Sequence, residues 1–182
     1  MRLRIAGILF VLLSANAGTP STSPGADAEA EDELKSVIIK NFVRYSTWPE
    51  PASSSAPITI GILGRTSFTQ TLHTVLDGKP VNGRPIQVVE LKSVAELHRC
   101  HLIYFATDKN ADTKQALQSI RSAHTLTIGE DDRFLDYGGA VKLQLIDGHM
   151  GFEVSLEALD RAGIEISSKL LRLGQIKRRR DE

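Results

Sequence analysis

Cysteine is nearly absent from this 182-residue chain, in which Cys100 stands alone. No intramolecular disulfide can form, and neither a disulfide-stapled scaffold nor a cysteine-rich zinc module is available. Net charge is absent too, with 22 basic side chains against 22 acidic ones. No basic field exists to attract nucleic acid or an anionic lipid surface, so both partner classes drop out. The apolar run at the amino terminus, Ile5 to Leu13, falls far short of the roughly 20 residues of a membrane-spanning helix. The familiar catalytic signatures are missing as well: there is no G-x-G-x-x-G, no Gly-Lys-Ser/Thr loop, no HExxH and no G-x-S-x-G elbow. These absences leave an enzyme as a distant third reading behind a binding module and a ligand-binding accessory, and no cofactor or metal is expected.

The amino terminus, "MRLRIAGILFVLLSANA", begins with Arg2 and Arg4, continues through the apolar run and ends in Ala15-x-Ala17. That order is a cleavable secretory signal peptide over residues 1–17. Without Arg2 and Arg4, 20 basic side chains face 22 acidic ones, a net of −2. About 165 residues then remain, enough for one domain that buries roughly two thirds of its unfolded surface. Residues 18–31, rich in Pro, Ser, Ala and acid, are too poor in large apolar groups to pack and are expected as a disordered linker. Residues 175–182 carry the Lys177–Arg180 cluster and are expected as a charged, solvated tail.

From Asp32 onward Leu34, Val37, Ile38, Phe42, Tyr45 and Trp48 recur at threes and fours, with Ser36, Lys40, Arg44 and Thr47 opposite. The spacing predicts an amphipathic helix that Pro49 stops. Strand-like runs then alternate with helical ones: 58–63 and 67–76, 86–91 and 94–98, 102–106 and 112–123, then 126–128. The runs "ITIGIL" and "LIYFA" are apolar throughout, as parallel strands covered on both faces are. After Gly139 the pattern changes to period two about Asp147-Gly148, a dipeptide suited to a two-residue hairpin turn. Counting outward pairs Leu145 with Met150, Leu143 with Phe152, Val141 with Val154, and Lys142 with Glu153. A helix over 156–162 with a Gly163 cap, then a short helix started by Ser167, complete the domain. The fold class is α/β: a single-domain three-layer sandwich over residues 32–174, with a mostly parallel Rossmann-like sheet and a C-terminal antiparallel β-hairpin.

Gly61, Gly64 and Arg65, between a strand and a helix, either receive an anion or make a tight turn. In an open α/β sheet a ligand enters at the carboxyl ends of the strands, where Gly64, Arg65, Thr107 and Asp108 meet. His98, Cys100 and His101 could ligate a metal only if the strand bends, since neighbours on a strand face opposite ways. Cys100 is therefore either buried as a small hydrophobe or bridges two chains, and burial is expected. The candidates for a partner surface are Tyr45, Trp48, Leu170, Leu171 and Leu173; the alternative is that these five belong to the core.

Three stretches, "ELKSVIIKNFVRYSTWPE" at 33–50, "CHLIYFA" at 100–106 and "GGAVKLQLIDGHMGFEVSLEALDRAGIEISSKLLRLG" at 138–174, together resemble the YfiR family of periplasmic regulators. Members often have Asn at the position of Ser155, and some carry further cysteines able to form disulfides. The resemblance implies a non-enzymatic protein of the periplasm. It would bind the periplasmic sensor domain of an inner-membrane diguanylate cyclase and hold it inactive, lowering cyclic diguanylate and restraining biofilm formation. A homodimer is a further partner to consider. A periplasmic ligand-binding accessory to a histidine kinase or an outer-membrane receptor system is the alternative reading.

Overall fold

The computed structural model describes residues 24–49, 55–106, 110–121 and 124–177; the expected signal peptide lies outside them. In chain order they form helix α1 (Pro24–Tyr45), strands β1 (Ser46–Thr47) and β2 (Ile58–Gly64), and helix α2 (Phe68–Leu76). Strands β3 (Pro80–Val81) and β4 (Arg84–Leu91), a 3-10 turn (Val94–Arg99), β5 (Leu102–Ala106), helix α3 (Asn110–Ser119) and β6 (Leu126–Gly129) follow. The chain closes with β7 (Val141–Ile146), β8 (His149–Val154), α4 (Leu156–Ala162), β9 (Glu165–Ile166), α5 (Ser168–Leu171) and β10 (Gln175–Ile176).

Eight strands make one sheet in the order β10-β8-β7-β6-β5-β2-β4-β3, and β1 pairs separately with β9. The run β4-β2-β5-β6-β7 is parallel, while β8 is antiparallel to β7 and β3 to β4. Alternate residues of the parallel strands enter two cores, which is why these strands are apolar throughout. Ile60, Ile62, Leu102, Tyr104 and Ile128 pack with Ile39, Phe42 and Val43 of α1 and Phe68, Leu72 and Leu76 of α2. On the other face Ile103 and Phe105 pack with Ala116, Leu117 and Ile120 of the α3 segment and with Phe134 and Leu135. Three layers result, as expected.

The hairpin register is the one counted from the turn: Lys142 faces Glu153, Leu143 faces Phe152 and Leu145 faces Met150. Asp147 and Gly148 both have positive φ, at 50° and 77°, as a two-residue hairpin turn requires. Lys142 Nζ lies 3.8 Å from Glu153 Oε2, and Leu143 and Phe152 are buried. Ser155 Oγ accepts the Ala158 amide and caps α4, so a serine performs the capping work at this turn.

Three expectations about segment ends are corrected. Helix α1 begins at Pro24, so residues 24–31 are helical and not linker; a first-turn proline followed by alternating Ala and Glu favours that start. It ends at Tyr45, not at Pro49, because Ser46 and Thr47 leave the helix to pair with Ile166 and Glu165. Gln175 and Ile176 are not tail: they pair in parallel with Glu153 and Val154, and the Lys177 amide donates to the Val154 carbonyl. The outer edge of β8 would otherwise leave its backbone groups unpaired.

The buried stripe of α1 is also displaced from the expected one. Ile39, Phe42 and Val43 enter the core and Ser36 is fully buried, its hydroxyl donating to the Asp32 carbonyl. Leu34 is 53% and Val37 49% exposed. Phe42 of the expected stripe is buried and Ile38 packs against the core, while Ile39 and Val43 lie one residue, about 100° around the axis, from those two. The helix is apolar on two adjacent faces, and docking to the sheet selects one.

Candidate functional site

The five residues expected at a partner surface separate. Tyr45 is 36% and Leu173 73% exposed, and Leu171 is half-buried. Leu170 is 2% exposed and belongs to the core; it lies on the inner side of α5, which Ser167 caps by accepting the Lys169 amide. Trp48 is half-buried and fixed, its Nε1 donating to the His101 carbonyl at 3.0 Å and its ring edge-on to the His101 ring. The Tyr45 carbonyl accepts the Ser167 amide, which ties the end of α1 to the start of α5. Tyr45 ends α1 at that junction, Leu173 follows α5, and Leu34 and Val37 are further exposed apolar residues of α1.

The carboxyl ends of β2 and β5 are neighbours, with Gly64 opposite Ala106. The chain runs from β2 to β4 on one side and then to β5 on the other, so the topological switch point lies between Gly64 and Ala106. Gly64 has φ 107° and turns the chain toward α2, while Arg65 is exposed. Thr107 and Asp108 lie outside the described residues.

A charged cluster near the ends of β5 and β6 had no counterpart in the sequence reading. Lys35 of α1 is buried and contacts Glu31 at 2.8 Å, Glu130 at 3.1 Å and Asp32 at 3.8 Å. The Tyr104 hydroxyl donates to the other Glu130 oxygen, and its ring meets Phe68 edge-on. Burial, followed by the Glu130 charge, pushes the Tyr104 hydroxyl far above its ordinary range, so it stays protonated as a donor. The signal was present in outline: Lys35 lies four residues before Ile39 on the stripe that enters the core.

Cys100 is 5% exposed, with its Sγ beside the bare backbone of Gly61: a Cβ on that glycine would come within 2.7 Å of the sulfur. It fills space that a side chain on β2 would otherwise take. Burial pushes its thiol up to about 11, with the Arg99 charge pulling the other way. Against an ordinary value of 9.0, that leaves the thiolate about a hundredfold scarcer at pH 8. Native protein should therefore label with a maleimide or disulfide reagent at least about a hundredfold more slowly than urea-unfolded protein. Equal rates in the two states would show the sulfur to be exposed. His101 accepts the Thr59 amide at Nδ1, and no group of three His, Cys, Asp or Glu converges as a metal site among the described residues.

A cleft of about 830 Å³ opens between α3, the turn at 135–138 and α4. Lys114, Leu117, Gln118 and Arg121 form one wall, Leu156, Glu157, Asp160 and Arg161 the other, and Lys177 also lines it. Sequence spacing gave no hint of it, because its two walls come from segments 35 to 47 positions apart.

The sequence profile of the YfiR/HmsC-like family matches residues 32–175. The chain belongs to this family. Its match takes in β2 through α5 and most of α1, and leaves the first turns of the helix, 24–31, outside. Among solved structures, a conserved domain protein from Vibrio cholerae O1 biovar El Tor is similar, with TM-score 0.54 and 13% identity. The similarity covers 80% of this chain and 60% of that one, so the chain spans less than two thirds of that protein's length. The ABC domain from Streptococcus pneumonia, solved in complex with L-Trp, has TM-score 0.45 and 13% identity over 65% of this chain and 55% of that one. The likeness to the Vibrio cholerae domain shows an α/β fold. No helix among the described residues is long and apolar enough to cross a membrane.

Proposed function

We propose that this protein is an exported, periplasmic regulator that binds the sensor domain of an inner-membrane diguanylate cyclase and holds the enzyme inactive. Membership of the YfiR/HmsC-like family, whose members are regulators and not enzymes, carries this reading. The amino-terminal sequence of residues 1–17 supports export, and the absence of catalytic signatures agrees with a binding role. The surface we assign to the partner is the junction of α1 and α5: Tyr45 and Leu173, flanked by Leu171 and extended by Leu34 and Val37. Trp48 and Leu170 leave the contact set and support it from beneath.

Binding inhibits only by preferring the inactive state of the partner. Suppressing the cyclase a hundredfold takes about 2.7 kcal/mol of such preference. One or two aromatic or leucine anchors at an interface supply that much. Deleting the gene should raise cellular cyclic diguanylate, and complementation should fail with Leu173→Asp combined with Tyr45→Asp. Leu173 is 73% exposed and Tyr45 lies at the surface end of α1, so the variant is expected to stay folded with a small loss of thermal stability, which circular dichroism checks. Unchanged cyclic diguanylate in the deletion strain, with the protein normally expressed, would reject the cyclase reading. A ligand-binding accessory would then be the better account, with the switch point at Gly64 and Arg65 as its entry.

A further inference from the structure

We propose that the cleft between α3 and α4 binds a small organic monocarboxylate with an apolar body. The proposal is independent of which membrane partner the protein has. The cleft's volume, about 830 Å³, lies within the range of small-molecule sites. Its walls combine Leu117, Leu135, Tyr137 and Leu156 with charged groups, so an apolar body and a polar head both find a surface.

Charge selects the head group. Lys114, Arg121, Arg161 and Lys177 converge on the cleft from three well-separated segments, facing Asp136, Glu157 and Asp160. Two of the cations are neutralised in place: Arg161 pairs with Glu157, and Lys177 Nζ holds Asp136 Oδ1 at 2.7 Å. Lys114 and Arg121 remain, two helical turns apart along the α3 wall, with no carboxylate partner among the described residues. Asp160 is the one lining carboxylate without a salt bridge among them. Among the described residues the unpaired set is two cations against one carboxylate, which a single negative charge on a ligand balances. Lys114 and Arg121 are exposed, and two like charges on one wall of a concave site add their fields and raise the local concentration of an anion. The Arg161 guanidinium lies next to the bare backbone of Gly138: a Cβ there would stand 3.6 Å from Nη2.

Titration calorimetry of the purified full chain at low ionic strength tests this with 2-naphthoate, naphthyl phosphate and inorganic phosphate as probes. One 2-naphthoate per chain should bind with Kd below about 1 mM, tighter than either phosphate. Lys114→Gln combined with Arg121→Gln should weaken it about tenfold or more, and Asp160→Asn should tighten it severalfold, whereas Arg65→Gln, at the far end of the sheet, should leave it unchanged. No saturable binding, binding indifferent to the double substitution, or phosphate binding as tightly as the carboxylate would each overturn the proposal. None of these results depends on a cyclase, so failure here leaves the regulatory reading standing.

Discussion

Gly139→Ala should destabilise the protein by about 2–3 kcal/mol, the cost of overpacking a filled core. Phe134 is fully buried, and its ring lies between two glycine backbones. A Cβ at Gly139 would stand 2.2 Å from Phe134 Cε1, and one at Gly129 would stand 2.6 Å from Cδ2 and Cε2. The ring has little room to retreat, because its position is fixed by the edge-on contact with Phe105, at 5.4 Å between centroids, and by the Gly139 amide donating to the Phe134 carbonyl. Alanine at 139 must therefore move the turn that leads into β7. For a domain of this size the loss corresponds to a fall in Tm of roughly 5–10 °C. Phe134→Leu removes the ring atoms that the new methyl would meet, so in that background Gly139→Ala should cost at least about 1 kcal/mol less. Urea denaturation of the four proteins closes the cycle. A single-variant loss below about 0.5 kcal/mol would show that the ring is free to shift.

Lys35→Met should cost about 1–3 kcal/mol, less than the loss of one partner from a fully buried ion pair because Glu130 and Glu31 are partly exposed. The methionine fills the stem of the lysine, so the effect isolates the charge. Without the ammonium, Glu31, Asp32 and Glu130 face one another at the place where α1 crosses the end of the sheet. The pH dependence follows from Asp32, whose carboxyl is already held above its ordinary range by burial while Lys35 pulls it down. Removing Lys35 raises it further. A carboxyl whose folded value is raised weakens the fold above that value and ceases to do so once protonated. The deficit of Lys35→Met relative to wild type should therefore be largest near pH 7 and shrink as the pH falls toward 4. Lys35 itself is raised by Glu31 and Glu130, which outweigh its burial, so the stability it contributes in the wild type is present below its unfolded value and lost only at strongly alkaline pH. A deficit that stays constant between pH 7 and pH 4 would mean that the lysine acts through packing alone.

Much of the architecture is local information, and that part was legible. The apolar runs that became β2 and β5 have a length and composition set by burial on both faces, whatever covers them. The β7–β8 register is fixed by one two-residue turn, because a slip of a single position would exchange its buried and exposed faces. Cys100 was readable as an interior residue from the apolar strand it precedes, though not the glycine it packs against.

The sites were less legible, for a definite reason. Which face of α1 is buried depends on the helix's rotation against the sheet, and a helix apolar on two adjacent faces leaves that open. Leu34 and Val37 are outside and Ile39 and Val43 inside because the latter join the core that α1 shares with α2 and the sheet. The Lys35–Glu130–Tyr104 cluster joins three segments that no periodicity links. The cleft is set by where α3 and α4 come to rest at the sheet's edge, and its free charge is what remains after pairs form across it. The sequence by itself determined the longer strands β2, β4, β5, β6, β7 and β8, the hairpin register, the missing catalytic motifs and the family pattern, since each depends on neighbours a few residues away. Tertiary structure alone decided which apolar residues stay exposed and which charges stay unpaired, because both are differences between surfaces brought together from distant parts of the chain.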